Sequence, residues 1–370
     1  MTKATHTKRT KTAKDTAKKS TKKTTKKPTK KATKKATKKA TKKSTRKITK
    51  AGAKKATSDA NRATPQSASK SRSTLSSPEQ ASGTTSAAQV ERSTVERQEA
   101  NTKIIAIANH KGGCGKTTTS VNLSAELGRS GHSVLLIDMD PQANASLHIG
   151  HKHPSEIPVG CAELLVGDIE LLPQAIQEET TLKNVSLISG SLSLGYIEDK
   201  LREDAPRPSE ELAQKIAPLI GFYDVIIIDC PPSLKLLSSN ALAAATHVII
   251  PIESGSQYGL YGVSDLMRHI DKIRRINPSL ELLGALLIRH DRRLTVCRLI
   301  KAAAETQLGQ LMPILIPSTT KINQAVILKR SIFDIDRTSK VARAFYDLAN
   351  HISEELNLTR SLQTVATEGS

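Results

Sequence analysis

Residues 104–118 read IIAIANHKGGCGKTT. An apolar run, 104–108, meets a glycine-rich turn and then Lys116, Thr117 and Thr118. A buried strand feeding such a turn, which in turn feeds a helix, is the local arrangement that cradles phosphate. The glycines let backbone N–H groups approach an anion without a Cβ clash, and the helix N-terminus adds its dipole. The strict GxxxxGK[ST] spacing is not met, because His110 stands where the first glycine should be. What stands next is Lys111-Gly112-Gly113-Cys114-Gly115-Lys116-Thr117-Thr118. One lysine, Lys116, suffices to reach the β- and γ-phosphates of a nucleotide, and the Thr117 hydroxyl is placed to ligate Mg²⁺. Lys111, five positions earlier, therefore points to extra charge compensation.

The chain downstream alternates short apolar runs with amphipathic stretches. Strands are expected at 104–108, 133–138, 185–189, 225–229, 246–251, 282–288 and 313–317. Helices are expected at 118–130, stopped by Gly131, and at 234–245, 257–276, 295–308 and 339–356. Continuous apolar strands separated by helices predict an α/β fold of the P-loop NTPase kind, a mostly parallel sheet with helices on both faces. Right-handed crossovers then bring every strand C-terminus to one edge, where ligands bind.

Two acidic motifs fall at such strand ends. Asp138-Met139-Asp140-Pro141-Gln142 follows one apolar run, and VIIIDCPP, 225–232, ends another with Asp229. Carboxylates at that edge can hold Mg²⁺ through water or orient an attacking water, and Asp229 has the Walker B arrangement. In register, the motifs predict one site of Lys116, Thr117, Asp138, Asp140 and Asp229, binding ATP and Mg²⁺ and hydrolysing the γ-phosphate.

The stretch KGGCGKTTTSVNLSAELGRSGHSVLLIDMDPQANAS, 111–146, resembles the deviant Walker A ATPases, and among them the ParA-type partition ATPases. The resemblance extends over about 103–355, through IIPIESGSQYGLYGVSDL, 249–266, and the block from 316 through 333 to 340. It implies that Lys111 reaches the partner's phosphates in an ATP-bound homodimer, that Asp140 positions the water and that Asp138 lies on the Mg²⁺ side. It also implies that Pro317 lies near the adenine, and that a ParB-like partner stimulates weak hydrolysis. In that family non-specific DNA binding uses basic residues in the region of Arg289, Arg292, Arg293, Arg298 and Lys301. A second basic group is Arg268, Lys272, Arg274 and Arg275. The sequence departs from the family where Ile316-Pro317-Ser318 lacks an arginine and Asn323-Gln324-Ala325-Val326 lacks a glutamate.

The first hundred residues read differently. They hold 29 Lys and Arg against 6 Asp and Glu, leaving 27 basic and 29 acidic residues for the other 270. A four-residue repeat, KKATKKATKKATKKSTRK, spans 30–47. Residues 1–55 cannot bury enough apolar surface to offset ordering entropy, and are expected to be a disordered basic tail resembling those of histone-like proteins. Residues 56–100 are expected to be a flexible linker, 101–358 the ATPase domain and 359–370 a flexible C-terminus. Each lysine near a phosphate releases a counterion, so the tail predicts DNA affinity without sequence preference. RNA and other polyanions offer the same charge. The tail has no aromatic residue for stacking and no apolar face for a membrane.

No apolar run reaches the roughly 18–20 residues of a membrane span, and the basic N-terminus has no apolar signal core. The expected location is cytoplasmic, on the nucleoid. Four scattered cysteines form no CxxC pair, which argues for reduced core fillers and against a zinc site or a cluster-bearing reductase. A MinD-like positioning ATPase would carry a basic amphipathic C-terminal helix, whereas this chain ends HISEELNLTRSLQTVATEGS. A chromatin-compacting protein acting through the tail alone would leave the hydrolysis motifs unused.

Overall fold

A computed structural model describes residues 102–256 and 258–358. The expectations for the tail, the linker and the last twelve residues lie outside these. Eight strands form one sheet: β1 (Lys103–Ile107), β2 (Val134–Asp138), β3 (Ile176–Gln177), β4 (Val185–Ile188), β5 (Val225–Asp229), β6 (His247–Glu253), β7 (Glu281–His290) and β8 (Leu311–Pro317). Their order is β3-β4-β2-β5-β1-β6-β7-β8. Every pairing is parallel except β3 with β4.

Side chains alternate across the sheet and divide the core in two. Ile105 and Ile107 face a cluster with Val121, Leu127, Phe345 and Leu348, from the helices Lys116–Arg129 and Lys340–Glu355. Ile104 and Ala106 face the opposite cluster, covered by Leu242, Leu266 and Ile300 from the helices Leu236–Ala244, Val263–Ile273 and Thr295–Leu308. The strands are apolar on both faces because both faces are covered. Phe345 is fully buried, and truncating such a side chain costs about 3–5 kcal/mol.

Several boundaries differ from the sequence expectation, and four bear on the site or on how its helices were read. The first helix begins at Lys116, not Thr118, because Gly115 caps it in the left-handed region at φ 85°. The expected helix over 257–276 is shorter. Residues 258–262 are turns, Gly262 sits at φ 76° against the His110 ring, and the helix runs Val263–Ile273. The helix expected from 234 starts at Leu236. Strand β6 runs past Pro251 to Glu253, which brings a further carboxylate to the sheet edge.

Between β2 and β5 the periodicity reading assigned only one strand. That stretch also holds β3 and the short helices Asn144–Ile149, Cys161–Val166, Leu172–Ala175, Ile197–Asp204 and Glu211–Ile216. The four cysteines are free and buried, as fillers should be. Among the described residues no helix is long and apolar enough to cross a membrane.

Candidate nucleotide site

The site forms where the C-terminal ends of β1, β5 and β2 lie side by side. Register places Ile107 beside Asp229, and Asp229 beside Asp138. The loop after β1 therefore arches over the end of β5. Asn109 fixes its start: Asn109 Nδ2 donates to the Pro251 carbonyl at 2.8 Å, and its Oδ1 accepts from Lys111 N at 3.0 Å. Among the described residues, nothing beyond the chain neighbours lies within 4 Å of a Cβ built at Gly112 or Gly113, so that part of the loop borders open space. A Cβ on Gly115 would run into Ile288 of β7, which ties the far side of the loop to the sheet. Lys116 is buried, and its Nζ donates to the Lys111 carbonyl at 3.2 Å, across the loop.

Asp229 is fully buried, and each of its oxygens has a donor. Thr117 Oγ1 donates to Oδ2 at 2.7 Å, while the Ser120 hydroxyl lies 3.0 Å from Oδ1 and 3.0 Å from the Lys116 carbonyl. Desolvation by burial pushes the Asp229 carboxyl above the usual range, and the Asp138 charge adds to this. The Thr117 and Ser120 hydrogen bonds and the Lys116 charge oppose it. Lys116, Thr117 and Asp229 are thus brought together as the sequence predicts.

Asp138 is equally buried, but its oxygens are engaged locally. Ser146 donates both N–H and hydroxyl to Oδ2, at 2.8 and 2.7 Å, and Asp140 N donates to Oδ1 at 3.1 Å. Burial raises its pKa, opposed chiefly by the two Ser146 hydrogen bonds. Asp138 therefore holds the turn that carries Asp140, and Asp140 Oδ1 accepts from Gln142 N at 3.0 Å. Thr118 sits in the first turn of the helix that closes the loop. Burial raises the Cys114 thiol above its usual range in spite of Lys116 and Lys111 nearby. Pro317 ends β8 in register with His290, two strands from the loop.

The donor set fits a hard cation. Thr117 supplies a hydroxyl and Asp229 a carboxylate, both oxygens, which is the ligand chemistry of Mg²⁺. Among the described residues no group of three His, Cys, Asp or Glu could hold a metal on its own. That also fits Mg²⁺, which takes one or two protein oxygens and completes its shell with phosphate and water.

Lys111 lies at the same edge but turns toward β6. Its Nζ pairs with Glu253 Oε2 at 3.1 Å, and Arg289 Nη1 pairs with Glu253 Oε1 at 2.8 Å. The other basic candidates are partly neutralised by neighbours. Arg293 pairs with Asp291 at 2.9 Å, Lys301 with Glu305 at 3.0 Å, and Arg298 donates to Thr295 Oγ1 at 3.3 Å. Arg292 is exposed, and together with Arg298 and Lys301 it lines an open pocket with His290 and Leu315. In the second basic group Arg268 pairs with Asp265 and Arg274 with Asp271.

Glu253, Ser120, Ser146 and Asn109 were not singled out from sequence. Ser120 has a legible signal, since it lies one helical turn after Lys116 on the same face. Ser146 and Glu253 have none, because their partners are set by folding across eight and 142 positions.

A protein-family model described as an AAA domain matches residues 102–282. The sporulation initiation inhibitor protein Soj of Bacillus subtilis is 35% identical over 255 residues, covering 68% of this chain and 98% of that protein. The chromosome partitioning protein ParA of Myxococcus xanthus is 34% identical over 252 residues, covering 68% of this chain and 87% of that protein. Among solved structures, cobyrinic acid a,c-diamide synthase from Mycobacterium smegmatis with bound ADP and magnesium matches with a TM-score of 0.61 and 33% identity. That match covers 69% of this chain and 96% of the other.

Proposed function

The chain belongs to the ParA/Soj family of partition ATPases, and on that premise we propose that it binds ATP with Mg²⁺, dimerises in that state and then holds DNA non-specifically. The observation that carries this reading is the Thr117–Asp229 hydrogen bond at 2.7 Å, with Lys116 across the same loop. An ammonium, a hydroxyl and a buried carboxylate converge there on a loop open to ligand.

Lys116 leaves the Lys111 carbonyl for the β- and γ-phosphates, a favourable exchange because a charged acceptor is stronger than a neutral one. Residues 112–118 surround the phosphates, with the dipole of the helix Lys116–Arg129 behind them. Thr117 and Asp229 would hold Mg²⁺, with Asp138 beside them. The metal supplies positive charge where the phosphates gather negative charge during transfer. Asp140 orients the attacking water, Lys111 reaches the partner subunit's phosphates, and Pro317 borders the base. DNA is held by Arg289, Arg292, Arg293, Arg298 and Lys301. Two such clusters in one dimer act together, so binding strengthens by avidity when ATP joins the subunits. A ParB-like protein stimulates hydrolysis and resets the dimer. The cytoplasmic face of this cycle is the nucleoid, on which the basic tail, residues 1–55, slows escape.

The test is sedimentation of the full chain with ATP or ADP, with and without DNA, alongside hydrolysis rates. A dimer with ATP, a monomer with ADP and a monomeric Lys111→Ala variant are expected. An ATP-bound monomer that holds DNA as well as wild type overturns the dimer switch.

A further inference from the structure

Glu253 was no part of the site as read from sequence, yet among the described residues it is the side chain hydrogen-bonded both to Lys111 and to Arg289, where the basic stretch at the end of β7 begins. Its two oxygens are divided between the two cations, Oε2 to Lys111 Nζ at 3.1 Å and Oε1 to Arg289 Nη1 at 2.8 Å. The Glu253 side chain is 19% exposed and the Lys111 side chain 21%, so both ions of that pair are sheltered from water. Despite the burial, which alone raises it, the Glu253 carboxyl is held below its usual range by the Arg289 and Lys111 hydrogen bonds and charges.

The surrounding backbone is anchored by its own hydrogen bonds, while these side chains are held by charge-assisted hydrogen bonds to one another. Asn109 pins the Lys111 N–H and the Pro251 carbonyl of β6. Next to Glu253, Ser254 N donates to the Ile288 carbonyl at 3.0 Å, and the Ser254 hydroxyl meets His290 Nδ1 at 3.0 Å. The ends of β6 and β7 are therefore stitched together on either side of Arg289. Arg289 itself sits at φ 51°, a left-handed conformation that a non-glycine residue adopts at some cost. Lys111 can leave Glu253 by side-chain rotation, without moving the loop start. Its departure leaves the whole carboxylate to Arg289.

We propose that Glu253 is a positioning residue that holds Lys111 back in the nucleotide-free chain and, through the carboxylate it shares with Arg289, links the release of Lys111 to the basic stretch that begins at Arg289. The holding contact stands on this geometry alone. The link to nucleotide rests on the dimer reading given above.

One carboxylate shared by two cations makes a prediction with opposite signs. Removing its charge frees Lys111, whereas removing Arg289 leaves Glu253 to Lys111 alone. The first measurement is acylation of the Lys111 amine in the nucleotide-free full chain, followed by peptide mass spectrometry with acetic anhydride as the probe. Glu253→Gln is expected to speed modification of Lys111 by about threefold, the scale of a partly exposed ion pair, and Arg289→Ala to slow it. Rates that are unchanged in Glu253→Gln, or that move the same way in both variants, overturn the proposal. Circular dichroism and thermal melting confirm that both variants fold, and Glu253→Asp restores slow modification if charge is the cause.

The second measurement is the ATP concentration at half-maximal dimerisation by sedimentation. Glu253→Gln is expected to lower it by roughly threefold, and an unchanged midpoint overturns the link. A wild-type chain that fails to dimerise with ATP defeats the dimer reading and the link with it, while the acylation rates still decide the holding contact.

Discussion

Two stretches of the same sheet edge carry charged side chains, and they are held in different ways. At the ends of β2 and β5, Asp138 and Asp229 are fully buried and every carboxylate oxygen has a donor. At the end of β7 and the start of the helix Thr295–Leu308, the arginines are exposed. Arg293 and Arg298 bond residues two or three positions away, Asp291 and Thr295, while Arg289 reaches across to Glu253 of β6. Burial makes the first stretch exacting, because an unpaired buried carboxylate is costly and each partner is therefore specified. The second is permissive. Exposed ion pairs contribute about 0–1 kcal/mol and exchange readily for pairs with an incoming polyanion. The first geometry suits a single small ligand, and the second suits a long charged one of indifferent sequence.

The largest expected break in this contrast is Lys116→Ala. Lys116 is the buried cation of the loop, and on the proposed reading its ammonium meets the phosphates as they gain charge. Hydrolysis should fall by about two orders of magnitude or more, the size of losing one preorganised electrostatic partner. Binding of nucleotide-free protein to DNA should be unchanged, which filter binding checks. A comparable fall in both would mean that the two stretches are not separable.

Next in size is removal of residues 1–100, which carry the basic excess of the chain. Loss of many phosphate contacts should weaken DNA binding by about tenfold or more and flatten its salt dependence, with ATP and ADP alike. The ratio of affinities with ATP and ADP should rise, because a tail that holds DNA on its own adds the same increment to both association constants and so masks the difference between them. Salt titration of the two chains with each nucleotide reads this directly. Equal slopes for full-length and shortened chains would remove the tail from the DNA contact.

How much of this was legible in the sequence follows the same division. Strands β1, β2 and β5 and the helix Thr295–Leu308 could be read because burial on both faces, or on one stripe, leaves a periodic signature. Asp138 and Asp229 could be read because they end those strands. Most of residues 139–224 could not, strand β4 apart, since short helices such as Cys161–Val166 and Glu211–Ile216 have too few turns for a period. The helix expected from 257 was over-extended because Tyr258 and Tyr261 kept the apolar count up, although both are exposed and Gly259 and Gly262 break the segment into turns. Glu253 illustrates the remaining gap. Its meaning depends on Lys111 and on Arg289, 36 positions later, and it takes the β1–β6 and β6–β7 registers together to bring the three within reach.

A smaller effect tests whether the buried carboxylate is a functional cost. Asp229→Asn keeps the shape and removes a charge that burial disfavours. The Asp229 carboxyl holds its proton to higher pH when folded than unfolded. Its contribution to stability is therefore full below the unfolded carboxylate range and is lost as pH rises through the folded value. Nucleotide-free Asp229→Asn should melt about 2–4 °C above wild type at pH 8, for roughly 1 kcal/mol, with less difference at pH 5. Its hydrolysis rate should fall, because the amide is a poorer partner for Mg²⁺ and its water. Melting curves at the two pH values decide it, and a variant less stable than wild type at pH 8 would contradict the burial argument.

The smallest expected change sharpens the exposed side. Arg298 is exposed and donates at 3.3 Å to the Thr295 hydroxyl of its own helix turn, so little of the fold depends on it. Arg298→Ala should leave melting within about 0.5 kcal/mol of wild type. If Arg298 meets one phosphate, the salt slope of DNA binding should drop by about 0.9. In the chain lacking residues 1–100 that drop should be seen with ATP and be smaller with ADP, because only a dimer presents two clusters at once. Arg268, exposed and paired with Asp265 on the helix Val263–Ile273, is the matched control at a site with its own neutralising partner. Equal drops for Arg298→Ala and Arg268→Ala would show that any exposed arginine of this domain serves, and that the end of β7 is not a distinct DNA face.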